Sequence, residues 1–171
     1  YQKMKTRNVD AYDEFFAHQM TLALARAVAR RGKGRSSVAT NALQSKVLSA
    51  LPYAPTGAQT RAVAEITDDL AAPIRMNRLL QGDVGSGKTL VALMALLVVV
   101  EAGGQGVMMA PTEILARQHL EGLQPLATDA GVALELLTGR DKGREREAKL
   151  ARLASGEIQI LVGTHAVFQK G

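Results

Sequence analysis

The chain has 171 residues, which suits one domain with an attached element, and is 47% hydrophobic and 22% charged, ordinary for a soluble globular protein. It has no cysteine and no Trp, so disulfides and thiolate metal sites are excluded and the core is left to Leu, Val, Ile, Ala and Met. The net charge of +5 is concentrated in residues 1–50, which carry nine Lys and Arg against three Asp and Glu, whereas residues 51–171 carry twelve against thirteen.

A basic segment of this kind either meets nucleic-acid phosphates or forms a solvated helix face, and charge alone does not choose between them. The longest apolar run follows Thr89 and ends at Val100, too short to span a bilayer. No apolar leader precedes Asp10. No membrane is therefore expected, and the absence of cysteine suits a reducing, cytoplasmic setting. A chain that opens on Tyr1 is expected to be a piece of a longer one.

Apolar Phe15, Phe16, Met20, Leu22, Leu24 and Val28 recur at helical spacing and predict one helix from about Asn8 to Arg31. Asn8 or Asp10 would cap it, Asp13 and Glu14 suit its positive end, and Arg26, Arg30 and Arg31 its negative end. Gly32 would stop it, and residues 32–37 read as a flexible basic loop. A short helix is expected over Ala42–Ala50, ending before Pro52. Helices and strands then alternate: helix Ala58–Ala71, strand Arg78–Gln81, helix Lys88–Glu101, strand Gln105–Ala110, helix Thr112–Asp129, strand Val132–Leu137, a charged helix Lys142–Ala154 and strand Ile158–Val162. Such alternation implies right-handed crossovers, an α/β fold and a parallel sheet with helices on both faces, preceded by a helical segment. The expected division is a basic helical linker, 1–50, and a nucleotide-binding section, 51–171.

Gly82-Asp83-Val84-Gly85-Ser86-Gly87-Lys88-Thr89 fits G-x-x-x-x-G-K-[ST] at every fixed position, between an expected strand and an apolar helix. Glycines at these positions let backbone N–H groups turn inward around a phosphate, and the following helix adds its positive end. The motif predicts an ATP site in which Lys88 reaches the β- and γ-phosphates and Thr89 offers its hydroxyl to magnesium. These two residues are the candidates for catalysis. The bland alternative is a chance glycine turn before a helix.

Other segments carry a resemblance to superfamily 2 helicases. Thr56-Gly57-Ala58-Gln59 lies where that superfamily keeps a glutamine that reads adenine, and Ala110-Pro111-Thr112-Glu113-Ile114-Leu115-Ala116 looks like its motif Ia. Thr138-Gly139 matches the step after the third strand, and Gly163-Thr164-His165-Ala166 looks like the segment after the fourth. Together with the P-loop these resemble the RecG-type family of bacterial DNA translocases over residues 51–171, and less specifically the helical link of that family over the first fifty. The related transcription-repair coupling family carries Phe in place of Ser86 and Thr-Leu-Leu in place of Glu113-Ile114-Leu115. That family is the alternative.

The resemblance implies an RecA-like motor lobe of an ATP-dependent helicase acting on branched double-stranded DNA in repair and recombination. It implies a bacterial, nucleoid-associated, monomeric protein whose wedge domain and second lobe lie outside this chain. Gln59 would read adenine, and Pro111, Thr112, Thr138, Gly139, Thr164 and His165 would meet DNA. Each has a plainer reading. Gln59 can be a surface residue, Thr112 a helix cap, Thr138-Gly139 an ordinary turn and His165 a hydrogen-bonded structural histidine, to which no metal is assigned. No strand here ends in an acidic pair, so the acidic residues for magnesium and water, and the arginine finger, are expected beyond Gly171. The piece alone is expected to bind ATP and hydrolyse it poorly. A non-motor nucleotide-binding module and a small-molecule kinase are the competing classes, although no lid or acceptor site speaks for the kinase.

Overall fold

In a computed structural model of the chain, residues 12–25 and 33–167 are described. Residues 12–25 are helical (α1), within the expected first helix, whose remaining residues lie outside the described ones. Of its apolar stripe, Tyr12, Phe15, Phe16, Met20 and Leu24 are all exposed, none entering a core among the described residues.

Five more helices and three strands build the rest: α2 (Ala42–Ala50), α3 (Gly57–Ala71), α4 (Lys88–Glu101), α5 (Glu113–Ala130), α6 (Gly143–Ala154) and strands β1 (Gly106–Met109), β2 (Leu134–Leu137) and β3 (Ile160–Gly163). The strands form a parallel sheet in the order β1-β3-β2, with Gly106 and Leu134 both in register with Ile160. Side chains alternate across it. Leu134, Ile160 and Val162 face the core made by α4 and α5, whereas Leu137, Ile158 and Leu161 meet Leu153 of α6 on the other side. Helices thus cover both faces, as the alternation predicts.

Helix α4 is apolar all round and is correspondingly buried, with Leu93, Leu97 and Val98 fully enclosed. Helix α3 starts on a capping box, in which Thr56 Oγ1 accepts from Gln59 N and Gln59 Oε1 accepts from Thr56 N. Helix α5 is capped by Thr112 and closes at Gly131, whose left-handed φ of 75° suits glycine. It runs on through Pro125. Among the described residues no helix is long and apolar enough to cross a membrane.

Two expectations change. Arg78–Gln81 is not a strand, because among the described residues no ladder partner lies beside it, and an extended segment becomes a strand only by pairing. It is anchored by its side chain instead: Arg78 bonds Asp69 Oδ2 at 2.8 Å and Glu65 Oε2 at 2.5 Å. The described part of the 32–37 loop is not free either. Lys33 makes an antiparallel bridge with Ile74, Gly34 N donates to Pro73 O at 3.1 Å, and Ser37 N donates to Leu70 O at 2.8 Å. A Cβ on Gly34 would collide with the Ile74 carbonyl, so this glycine serves close approach and not flexibility.

The division after residue 50 falls between α2 and α3. Both pack on α4, and Val47 of α2 is fully enclosed in the main core. The N-terminus of α2 is served from sixty residues away. Asn41, at φ 64°, supplies no side-chain cap, and Glu101 at the far end of α4 accepts from Thr40 N at 2.8 Å, Leu43 N at 3.2 Å and Ala42 N at 3.3 Å. The Thr40 hydroxyl also donates to this carboxylate, and that bond, ahead of the backbone ones, holds Glu101 below the usual carboxylate range despite some burial.

Candidate functional site

The loop 82–87 leads into the N-terminus of α4. Gly85 and Gly87 take left-handed φ values of 81° and 77°, which turn the chain tightly enough to form a concavity. Val84 stands fully exposed at the tip. The turn is closed by Ser86 N donating to Asp83 O at 3.2 Å, and a Cβ on Gly82 would lie 2.7 Å from Ser86 Oγ. Gly87 is the N-cap of α4 and brings no side chain, so the first N–H groups of the helix, those of Lys88 and Thr89, have no intrahelical acceptor and no side-chain cap. That leaves oriented donors and the positive helix end at one point, which is the chemistry of a phosphate cradle.

Lys88 Nζ lies across this concavity, donating to Gly82 O and Asp83 O at 2.7 Å each, with Ser86 Oγ 3.5 Å away. A cation resting on neutral carbonyls exchanges them readily for phosphate oxygens, which carry charge. Gln59 sits against the same loop, its Nε2 donating to Ser86 O at 2.9 Å. All the residues predicted for nucleotide binding are thus brought together: Gln59 from α3, Gly82 to Gly87 in the loop, and Lys88 and Thr89 in the first turn of α4. Behind Gln59 lies an apolar cavity of about 80 Å³ between α2, α3 and α4, lined in part by Val63, Leu90 and Met94.

The residues predicted for nucleic acid follow the ends of the three strands. Because the strands are parallel, Pro111-Thr112, Thr138-Gly139 and Thr164-His165 follow the same edge of the sheet. Pro111, Thr112, Gly139 and His165 are exposed, and Thr164 is half-buried. Thr112 Oγ1 accepts from Leu115 N at 3.3 Å, the capping role. Thr138 is a correction: it is buried, its N–H donates to Asp141 Oδ2 at 2.7 Å and its hydroxyl accepts from Arg140 N at 3.3 Å. Its amide is spent inside the turn, so of this pair only Gly139 faces outward.

Three features escape a reading of the sequence. Asp141, in the turn before α6, is held by Lys149 Nζ of that helix at 2.6 Å. Burial pushes the Asp141 carboxyl up, but the Lys149 bond and the Thr138 N–H outweigh it and leave it below the usual range; Lys149, though disfavoured by burial, is raised by Asp141. Glu113 pairs with Arg140 at 2.8 Å, joining the start of α5 to the turn after β2. No local spacing signals that contact, nor the Glu101 cap of α2.

A family model described as DEAD/DEAH box helicase matches residues 56–170. The chain belongs to the DEAD/DEAH box helicase family. Within it, the chain is similar to the ATP-dependent DNA helicase RecG of Escherichia coli O127:H6, 47% identical over 158 residues, covering 92% of this chain and 23% of that protein. RecG of Bacillus subtilis strain 168 is 46% identical over 159 residues, with the same coverage of 92% and 23%. The chain thus spans about a quarter of the length of these curated relatives. In three dimensions it superposes on a solved RecG bound to a three-way DNA junction with a TM-score of 0.86 at 38% identity, covering 94% of this chain and 22% of that one. A hypothetical ATP-dependent RNA helicase from Sulfolobus tokodaii, at 17% identity and TM-score 0.52 over 75% of this chain and 35% of that one, shares the fold. The resemblance read from the helicase motifs therefore holds at the level of the family and of likeness to RecG.

Proposed function

We propose that this chain is the phosphate-binding part of a motor lobe in an ATP-dependent DNA helicase that acts on branched DNA in repair and recombination. The observation that carries the reading is the complete P-loop, with Lys88 and the first N–H groups of α4 converging on one point, in a chain similar to RecG. In this reading the backbone of residues 82–89 wraps the phosphates and Lys88 leaves the Gly82 and Asp83 carbonyls for the β- and γ-phosphate oxygens, so that positive charge meets the negative charge of the transition state. Thr89 would hold magnesium through its hydroxyl, and that ion, when bound, supplies charge neutralisation between the β- and γ-phosphates. Gln59 has a donor and an acceptor site left after its two backbone bonds, the pair needed for the adenine N7 and N6 edge.

Residues 1–50 would serve as a helical link and residues 51–171 as the first part of the lobe, α2 being shared between them by packing. Residues further along the full-length protein would complete the acidic water-orienting site, and a second lobe would supply an arginine finger. The rim of exposed Pro111, Thr112, Gly139 and His165 with half-buried Thr164 would meet the DNA backbone. A bacterial, cytoplasmic, nucleoid-associated monomer is the setting this reading carries with it. The test is ATP turnover by the full-length protein with and without a synthetic three-way junction. Stimulation by the junction supports a DNA motor, and turnover indifferent to any DNA refutes it in favour of a non-motor nucleotide-binding protein.

A further inference from the structure

We infer that Arg140 is a DNA-phosphate ligand held in reserve by Glu113, the guanidinium leaving that carboxylate for a backbone phosphate when nucleic acid seats on the strand-end rim. The inference rests on the DNA-binding reading above and adds to it a residue that none of the helicase motifs names. Arg140 Nε meets Glu113 Oε2 at 2.8 Å, while 77% of the arginine side chain remains exposed. An exposed pair of this sort is weak, because solvent screens the attraction and two long side chains must be ordered to make it. A phosphate offers the same guanidinium a charge-assisted, bidentate partner, and each such contact also releases counterions from the DNA. The exchange is therefore favoured.

The surroundings prepare it. The turn that carries Arg140 is rigid: Arg140 N donates to Thr138 Oγ1, Thr138 N donates to Asp141 Oδ2, and Asp141 is clamped by Lys149 at 2.6 Å. The backbone of Arg140 is thus fixed while most of its side chain stays exposed, so only that side chain is left to order on binding. Gly139 borders the pair, with Glu113 Oε1 3.7 Å from where a Cβ would stand, so the pair lies beside the outward-facing glycine. Nor is Glu113 stranded when the arginine leaves, because it occupies the first turn of α5, where the helix dipole favours an anion. Arg117 stands exposed one turn further along the same helix, so positive charge continues beyond the pair. Until exchanged, Glu113 opposes the phosphate by its own charge and by occupying Arg140.

The experiment measures affinity of the full-length protein for a three-way junction and for an unrelated duplex across a salt series. Arg140→Gln should weaken both DNAs similarly and flatten the slope of log affinity against log salt by about 0.9, the value of one lost contact. Arg140→Lys should recover the slope, because the point charge is kept. Glu113→Gln should tighten both DNAs about two- to fivefold, the scale of an exposed pair released. Melting curves for each variant confirm that it is folded. An Arg140→Gln slope equal to wild type, or a Glu113→Gln variant that binds more weakly alongside Arg140→Gln, overturns the inference, the latter because it makes the pair a structural brace. Wild-type protein that binds neither DNA refutes the DNA-binding reading itself, a different result from wild-type binding with an unchanged Arg140→Gln slope.

Discussion

Gln59 Nε2 donates to the carbonyl of Ser86 at 2.9 Å, so the helix that precedes the P-loop in sequence also fixes the P-loop's shape. The same amide caps its own helix through Thr56 N, and it passes so close to Gly87 that a Cβ there would collide with Nε2. Gly87 is thus required twice, for its φ of 77° and for the room it leaves Gln59.

Gly87→Ala should therefore lose ATP binding in a way that Gln59→Ala does not repair. Removing the amide relieves the collision, but the left-handed backbone still costs alanine about 1–2 kcal/mol. Gln59→Ala alone should weaken preference for ATP over other nucleoside triphosphates, because a site that bonds the base edge rejects bases that leave its groups unpaired. Competition binding with ATP, GTP and CTP checks both. Full adenine preference in Gln59→Ala reduces the residue to a P-loop brace.

Lys88→Ala should lower ATP turnover of the full-length protein about 100- to 1,000-fold, the scale of removing one transition-state donor. Among the described residues its ammonium bonds only Gly82 O, Asp83 O and Ser86 Oγ, all in the loop, so the melting temperature should hardly move. Turnover near wild type from a folded variant removes Lys88 from the site.

What the sequence made legible was whatever a short window specifies. Helices α2 and α4 have the expected bounds, because Pro52 and the glycines at 87 and 103 punctuate them. The P-loop reads directly, since its glycines are needed by the turn itself. Segment 78–81 was misread for a physical reason: strand structure belongs to a pair, and periodicity in one segment says nothing of its partner. Gly34 looked like flexibility, yet it is a close approach to Ile74, a distant residue no window contains. Glu101 capping α2 and Glu113 holding Arg140 are likewise contacts between distant residues, invisible to local pattern.

The Asp141–Lys149 pair should make stability pH-dependent on the acid side. Asp141 is held below the ordinary aspartate range, so its contribution is complete above that range and is lost as pH falls through its lower folded value. Lys149 is raised, so its contribution is complete below the ordinary lysine value and fades only as pH rises through its higher folded one. Asp141→Asn should cost about 1.5–3 kcal/mol near neutrality, as for a hydrogen bond to a charged group, and less as pH drops through the carboxylate range. Denaturant melts from about pH 3 to 7 check this, and a gap that stays constant to acid pH contradicts it.

The basic N-terminal segment gives the last test, and the structure divides it. Arg26, Arg30 and Arg31 lie outside the described residues. Arg35 has a structural employment: its Nη2 donates to Ala102 O at 3.2 Å and approaches Gly103 O at 3.5 Å, just past the C-terminal end of α4. A cation there meets carbonyls that no helical N–H can reach and complements the negative end of the dipole, worth about 0.3–1 kcal/mol. Arg35→Gln should accordingly lower stability by that amount and leave the salt dependence of DNA binding as it is. Neutralising Arg26, Arg30 and Arg31 together should instead flatten the slope of log affinity against log salt by about two to three units, weakening unrelated sequences alike, if that stretch carries the phosphate contacts. Parallel salt titrations for wild type and the triple variant would reduce the segment's positive charge to a solvated face. A slope lowered by about 0.9 in Arg35→Gln with unchanged stability would move that residue from the helix end to the DNA.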